Sequence, residues 1–200
     1  MKAWIATLAL IGALGPERAA SPPPAGAGSP VHVRLETALG RIEIEVDAAR
    51  APVTAANFLR YVERGDYDGG RFHRTVRAGN QPGKTVLIAV VQAGRDPASK
   101  HPELPAIPLE RTPVTGLRHV DGAVSMARDG PDTATSDFFI CIGDQPELDF
   151  GGRRNPDGQG FAVFGRVVAG IDVVRRIHAA PADGQALTPP VAIRKARPIR

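Results

Sequence analysis

An alternation of apolar and polar residues near the start of the chain constrains the fold most. Over 31–35 and again over 42–46, on either side of a turn at 38–40, every second residue is apolar. Successive side chains of a strand point to opposite faces, so this period of two predicts a β-hairpin with one buried face. The domain is therefore predicted to begin near Val31.

Two short helices are predicted. Pro52 is a favourable first residue for a helix and Gly65 a favourable stop. The residues predicted to be buried on this helix are Ala55, Phe58, Leu59 and Val62. A second helix is predicted over 171–178. Its predicted buried residues are Ile171, Val174 and Ile177.

Six further segments are strand-like, which brings the predicted number of strands to eight. They lie at about 70–77, 86–92, 122–127, 138–142, 161–168 and, more weakly, 191–196. The 22 glycines and 19 prolines favour a turn-rich architecture. Helices do not alternate with strands as they would in βαβ units. The predicted fold is all-β, a closed antiparallel eight-stranded barrel capped by two short helices.

The first thirty residues have a different character. Met1-Lys2 precedes an apolar run over 3–15, the pattern of a secretory signal peptide, and 1–20 is predicted to be that signal or an N-terminal anchor. Residues 21–30 are rich in Pro and Gly and are predicted to form a linker before a domain over 31–200. The expected location is periplasmic or secreted, without stable membrane insertion after processing.

Composition and spacing exclude several classes of site. The five histidines have no metal-ligand spacing, so no metal is expected. Gly83-Lys84-Thr85 lacks the earlier glycine of a phosphate-binding loop, because position 78 is alanine, and is predicted to be a turn. Ser125 lies in no hydrolase-like elbow, and Cys141 lies in an apolar strand. The net charge of +4 is modest, and the basic residues are not interleaved with aromatic ones, so no nucleic-acid partner is expected.

Arg74 is the most unusual residue of a predicted strand. It follows Phe72-His73, and strict alternation would put Phe72 and Arg74 on the same face. If that face is the buried one, the arginine needs a functional reason to be there. The alternative is an exposed arginine paired with an acid such as Asp66 or Asp68. The strand pattern alone leaves both interpretations open.

Six segments, taken in order, resemble the cyclophilin family of peptidyl-prolyl isomerases, in particular its compact bacterial branch. The resemblance covers about residues 31–196. Each segment is a weak motif alone, and their order and spacing make the resemblance specific. They are 52–58 (PVTAANF), 67–74 (YDGGRFHR), 90–94 (VVQAG), 122–128 (GAVSMAR), 136–141 (SDFFIC) and 161–165 (FAVFG).

The resemblance implies the fold, the reaction and a set of roles. Arg74 would be the catalytic arginine, and Gln92 would hydrogen-bond the substrate backbone. The residues implied in the proline pocket or at its edge are Val90, Met126, Ala127, Phe139, Leu148 and Phe161. The reaction needs no cofactor. Expected partners are proline-containing unfolded or flexible polypeptides, bound by a monomer; the alternative is a proline-peptide-binding module or chaperone with little turnover.

The pocket rim departs from the pattern of many eukaryotic relatives. Glu147 stands where they have a tryptophan, and Phe161 stands where they have a histidine. Ala89 and Val90 replace two bulkier residues just before Gln92. These changes predict weak binding of cyclosporin-type macrocycles and leave room for low catalytic efficiency.

Overall fold

A computed structural model describes residues 30–199. The predicted signal or anchor over 1–20 and the linker, except Pro30, lie outside the described residues. The strands are β1 Val31–Thr37, β2 Gly40–Val46, β3 Arg71–Val76, β4 Val90–Gly94, β5 Ala123–Met126, β6 Phe138–Cys141, β7 Ala162–Ala169, β8 Ala182–Asp183 and β9 Ala186–Ile199. The helices are α1 Pro52–Glu63, the single turn α2 Thr112–Thr115, and α3 Ile171–Ala179. Within this range, no helix is long and apolar enough to cross a membrane.

Eight antiparallel strands close into a barrel, which confirms the predicted fold class. Their order is β1-β2-β7-β5-β6-β4-β3-β9, and β9 returns to pair with β1. The two-residue β8 lies outside this ring and forms a hairpin with β9 alone. Among the strands of residues 30–199, closure leaves no long edge exposed.

The predicted hairpin is confirmed and supplies one wall of the core. Val33, Leu35, Ile42 and Ile44 are fully buried, while Arg34 and Glu43, which alternate with them, are partly exposed. Helix α1 covers the core with Phe58, whose ring lies 4.9 Å from that of Phe164. The alternating residues of the sheet thus provide the interior, and the helix provides the cover.

In the two predicted helices, α1 and α3, the buried side is rotated slightly from the predicted one. Leu59 of α1 is half-buried, whereas Tyr61 is fully buried and its hydroxyl accepts a hydrogen bond from the backbone N–H of Leu104. In α3, Val173 is buried and Ile171 is only partly covered. The long loop after β4 packs against α1, so the apolar stripe read from the helix alone misses part of the buried side.

Two predicted strand ranges were wrong. The segment 86–89 is not a strand, and β4 begins only at Val90. The side chain of Gln81 holds this segment as a loop, donating to the carbonyl of Ile88 and accepting from its N–H. At the other end of the chain, β9 is fourteen residues long, far longer than the weak strand predicted over 191–196.

A β-bulge interrupts β3 at its centre. Phe72 pairs with Ala93 and Arg74 pairs with Gln92, so His73 is the extra residue. Ala93 and Gln92 are consecutive, so their side chains point to opposite faces of the sheet. Phe72 and Arg74, which pair with them, therefore also point to opposite faces. The prediction that Phe72 and Arg74 share a face was therefore wrong. Phe72 is fully buried, and Arg74 emerges on the outer face.

Candidate active site

Three neighbouring strands bring the main candidate residues together on the outer face of the barrel. Arg74 of β3 pairs with Gln92 of β4, which pairs in turn with Phe139 of β6. Directly paired residues in a sheet lie on the same face, so these side chains form a row across the strands. They open into a cavity of about 520 Å³.

The cavity contains seven of the eight residues implied by the resemblance. They are Arg74, Val90, Gln92, Ala127, Phe139, Leu148 and Phe161. The rings of Phe139 and Phe161 meet edge to face, with centroids 5.3 Å apart. Leu148 is fully buried behind them. This apolar wall suits a small ring such as that of proline.

Met126 is the exception, because the structure places it in the core. It is 1% exposed and does not line the cavity. It pairs with Phe138, whose ring contacts Phe58 and Phe72 on the interior side. Because sheet residues alternate between faces, Ser125 and Phe139 point outward while Met126 and Phe138 point inward.

Two neutral amides hold the guanidinium of Arg74. Its Nε and Nη2 donate to Oε1 of Gln185 at 2.9 and 2.7 Å, and its Nη1 donates to Oε1 of Gln92 at 3.0 Å. Burial lowers the pKa of Arg74, and the nearby charge of Arg154 lowers it further. Arginine nevertheless stays charged at neutral pH. The cavity therefore contains a half-buried cation whose partners do not neutralise it.

Neither acid suggested as a partner for Arg74 is available to it. Asp66 accepts hydrogen bonds from Ser99 and His101 and lies 3.0 Å from the Nε of Arg64. Asp68 forms an ion pair of 2.6 Å with Arg197. The structure thus favours the cavity-lining interpretation of Arg74 over the exposed ion pair.

Asp137 fixes the orientation of Gln92. The Nε2 of Gln92 donates to Oδ2 of Asp137 at 2.9 Å, and this contact directs the amide oxygen of Gln92 toward Arg74. His73, the bulged residue, lies 3.4 Å from the same carboxylate oxygen through its Nε2 and does not line the cavity. Asp137 also packs over Gly94, where a Cβ atom would collide with the carboxylate. The hydrogen bonds from Gln92 to Asp137 and from Arg74 to Gln92 thus align the amide of Gln92 with the guanidinium of Arg74.

A buried Asp149–His119–Ser125 network supports the aromatic wall. The Nδ1 of His119 lies 2.7 Å from Oδ1 of Asp149, and its Nε2 lies 3.0 Å from Oγ of Ser125. The imidazole stacks on Phe139, with centroids 5.9 Å apart. The arrangement has the residue types of a hydrolase triad, but Ser125 is fully buried and no substrate can reach it. Its effect is to fix the position of Phe139.

The remaining rim residues form polar contacts. Glu147, inferred from the resemblance to stand at the pocket rim, does not line the cavity. It forms an ion pair of 2.7 Å with Arg153 instead. Arg128 lies over the ring of Phe161, 5.0 Å from its centroid, and pairs with Asp157. Arg154 lines the cavity and donates to the carbonyl of Val86.

Sequence reasoning missed three residues at this site: Gln185, Asp137 and Arg154. Asp137 lies within a quoted motif and differs from Phe139 by two positions, so strand alternation places it on the same face. Gln185 lies 111 residues from Arg74 in the chain, and only the pairing of β3 with β9 brings them together. No local sequence pattern predicts the contact between Gln185 and Arg74.

The described part of the chain shows no acidic, histidine or cysteine cluster suited to a metal ion. Among residues 30–199, no group of three or more such side chains is arranged to hold one. Cys141 is buried, and burial raises the pKa of its thiol. The groups that face the cavity are instead a guanidinium, amides and apolar side chains. They are suited to binding a peptide and polarising it.

Comparison with known proteins agrees with this description. The family described as "Cyclophilin type peptidyl-prolyl cis-trans isomerase/CLD" matches residues 32–198. Peptidyl-prolyl cis-trans isomerase A of Dickeya dadantii is 38% identical over 156 residues, covering 78% of this chain and 75% of the relative. Peptidyl-prolyl cis-trans isomerase B of Escherichia coli is 33% identical over 146 residues, covering 72% and 82%.

A solved structure shows the same fold. A cyclophilin type peptidyl-prolyl cis-trans isomerase of Cryptosporidium parvum, crystallised in the presence of the dipeptide Ala-Pro, superimposes with a TM-score of 0.68. It is 20% identical in sequence and covers 84% of this chain and 99% of its own. The closed barrel, the family match and the sequence relatives together show that this chain belongs to the cyclophilin-type peptidyl-prolyl cis-trans isomerases.

Proposed function

We propose that Arg74 is the catalytic residue of this isomerase and that the cavity around it binds the proline of a substrate peptide. One observation carries the proposal. A half-buried guanidinium, held by the amides of Gln185 and Gln92, shares a cavity with the apolar wall of Phe139 and Phe161. Partial burial of an unpaired charge beside apolar side chains costs free energy, and a catalytic role in isomerisation would explain why the charge is present.

The reaction requires rotation about a stiff bond. Resonance gives the peptide C–N bond partial double-bond character, with a barrier of about 18–20 kcal/mol. In the twisted transition state the lone pair returns to the prolyl nitrogen. A guanidinium N–H directed at that nitrogen stabilises the localised pair, and Gln92 can hold the neighbouring substrate backbone. These interactions accelerate the rotation to the extent that they are stronger in the transition state than in the planar ground state.

The energy required is modest. An acceleration of about a thousandfold needs only about 4 kcal/mol of differential stabilisation. A charge-assisted hydrogen bond in a partly dry pocket is of this order when the donor is already in place. Gln185 and Gln92 hold Arg74 before substrate arrives, so little reorganisation is needed. Neither a covalent intermediate nor a proton transfer enters this scheme.

Substitution of Arg74 tests the proposal. Arg74→Ala is expected to fold and to lose at least about a hundredfold in kcat/KM, because it removes the charged donor. Arg71→Ala is the matched control, since Arg71 is an exposed arginine of the same strand outside the cavity. The assay is protease-free, with exchange of a proline peptide followed by NMR at substoichiometric protein.

Two results would count against this role. Full activity of Arg74→Ala would remove Arg74 from the mechanism. Tight peptide binding by the wild type with negligible exchange would instead support the alternative predicted from the sequence, a proline-peptide-binding module. Normal activity of Arg71→Ala is required for a loss of activity in Arg74→Ala to be assigned to the cavity.

We further propose that the protein acts as an exported monomer on unfolded or flexible proline-containing polypeptides. The signal-like pattern over 1–20 supports export to the periplasm or beyond. The monomeric state is an expectation from the resemblance alone. Mass spectrometry of the mature N-terminus and fractionation of cells test the first point. Light scattering of the purified protein tests the second.

A further inference from the structure

The cavity has an excess of positive charge. Its lining includes four cationic and two acidic side chains: Arg74, Lys84, Arg128, Arg154, Asp129 and Asp137. Arg128 is neutralised by Asp157, which lies 2.7 Å away. Asp137 receives the amide of Gln92 and lies next to His73. The balance of these groups leaves the cavity electropositive.

Arg154 is the second half-buried guanidinium of the cavity. Its Nη1 donates to the carbonyl oxygen of Val86 at 2.8 Å, which fixes the side chain between two loops. Within residues 30–199, neither Arg154 nor Arg74 has a carboxylate within 4.0 Å. Arg154 is also close enough to lower the pKa of Arg74, so the fields of the two cations overlap.

The neighbouring arginine provides an internal comparison. Arg153 is mostly exposed and forms its ion pair with Glu147, away from the cavity. Two adjacent arginines thus have different environments: one is neutralised at the surface, and the other keeps its charge beside Arg74. Removing either one changes the net charge of the protein equally, but only Arg154 alters the cavity.

We propose that Arg154 makes this isomerase selective for X-Pro sites with an acidic residue next to the proline. The inference rests on the proposed function, since it requires the proline to bind beside Arg74. A carboxylate on the substrate would supply the counter-charge that the two guanidinium groups lack. A lysine in the same place would add a third cation and be disfavoured.

The expected size of the effect follows from simple electrostatics. Two unit charges several ångströms apart at a partly exposed site interact strongly enough for roughly a fivefold to tenfold change in kcat/KM. Salt screens exposed charges over about 10 Å at about 0.1 M ionic strength. The preference is therefore expected to shrink as salt increases.

The experiment compares two sets of three peptides. In one set the residue before proline is Glu, Gln or Lys, and in the other the residue after proline is varied in the same way. The wild type is expected to favour Glu over Gln by roughly fivefold to tenfold in at least one set at about 20 mM NaCl, and less at about 500 mM. In Arg154→Gln the Glu-to-Gln ratio is expected to fall close to one.

Two variants complete the design. Arg154→Lys retains the charge and is expected to retain most of the preference. Arg153→Gln removes the same charge one residue away and is expected to keep the wild-type ratio. Because the ratio compares two substrates of one preparation, a loss of folded protein does not change it.

Several outcomes would overturn the inference. They are a wild type that does not distinguish Glu from Gln in either set, a preference that survives in Arg154→Gln, and a preference that Arg153→Gln removes equally. Absence of preference in an active wild type, with Arg74→Ala inactive, overturns this inference alone. Full activity of Arg74→Ala overturns the proposed function instead.

Discussion

At the scale of single residues, Gln185 is the least expected contributor to the site. It accepts two hydrogen bonds from Arg74, and its own Nε2 donates to the carbonyl of Asn80. The amide is thus fixed by the loop after β3 before it receives the guanidinium. In the proposed mechanism Gln185 is a positioning residue, because it would act on the reaction through Arg74.

Replacement of Gln185 by Met is expected to lower kcat by roughly tenfold to a hundredfold, with a smaller change in KM. The substitution keeps the length of the side chain and removes the acceptor, so the guanidinium is no longer held in its reactive position. Steady-state kinetics measures both constants. In an Arg74→Ala background the same replacement is expected to have little further effect, and an undiminished effect there would contradict the role.

The lowered pKa of His119 leads us to expect that the free energy of unfolding depends on pH. Burial lowers the pKa of His119, although the carboxylate of Asp149 acts in the opposite direction. The unfolded chain takes up a proton near the ordinary value of 6.5, and the folded protein does so only at lower pH. The stabilising contribution is therefore complete above pH 6.5 and is lost as the pH falls toward the folded value.

The free energy of unfolding is accordingly expected to fall as the pH drops below about 6.5, by up to about 1.4 kcal/mol per pH unit for each such histidine. Burial also lowers the pKa of His178, so two histidines contribute. Urea unfolding followed by circular dichroism measures the slope. His119→Gln is expected to make it shallower, and a slope equal to that of the wild type would show that His119 does not contribute.

Local sequence motifs identify residues that the structure brings together in one cavity. Arg74, Gln92 and Phe139 each lie in a short recognisable segment, and the register of three strands brings them together. Met126 differs in position: the motif places it beside Ala127, but the strand directs its side chain into the core. Its neighbour in sequence faces the cavity, and a motif does not state which side of the strand each member faces.

At the scale of elements, the bulge in β3 explains why alternation misassigned Phe72. One extra residue, His73, reverses the faces of everything that follows it on the strand. The local sequence does not reveal the bulge, because Phe72, His73 and Arg74 are all compatible with a regular strand. Only the partner strand shows where the register shifts.

Helix α1 depends on a distant carboxylate for its start. Its N-cap residue Ala51 has no side chain that can accept a hydrogen bond. Glu110 takes that role, accepting from the N–H groups of Val53 and Thr54 at 3.1 and 2.7 Å and from the Thr54 hydroxyl. The carboxylate also faces the positive end of the helix dipole. The proline-rich loop after β4 therefore stabilises the helix that covers the core.

Glu110→Ala is expected to lower the free energy of unfolding by about 1–2 kcal/mol, since it leaves the first turn of α1 without acceptors. Glu63→Ala is the matched control, because Glu63 is an exposed glutamate at the other end of the same helix. Its effect is expected to stay within about 0.5 kcal/mol. Urea unfolding of the three proteins makes the comparison, and equal losses in both variants would contradict the capping role.

At the scale of the whole molecule, closure of the barrel depends on β9. The strand pairs with β1 on one side and with β3 on the other. Its strength was underestimated from sequence because its buried residues, Leu187, Val191, Ile193 and Ala196, are unevenly spaced. A register shift beside Ile193 and the pair Pro189-Pro190 break the simple period. The eight-strand count was nevertheless correct, since each strand has at least a short recognisable core.

Removal of residues 193–200 is expected to abolish cooperative thermal unfolding. The deletion takes away all of the strand pairing between β1 and β9 and leaves β1 with an exposed edge. It also removes Ile193 and Ala196 from the core. Circular dichroism melts of the full and shortened chains provide the measurement. A shortened chain that melts in one sharp transition within a few degrees of the full chain would show that closure is dispensable.

The hairpin of β8 and β9 also sets the moment at which the enzyme becomes active during its own synthesis. Arg74 is translated early, but the amide that holds it follows 111 residues later, at the start of the closing strand. While the ribosome still retains that segment, the guanidinium has no fixed position and the barrel is open. If Arg74 is catalytic as proposed, the nascent protein is expected not to isomerise any of its own 19 prolines, so its folding would proceed unaided or depend on isomerases already made.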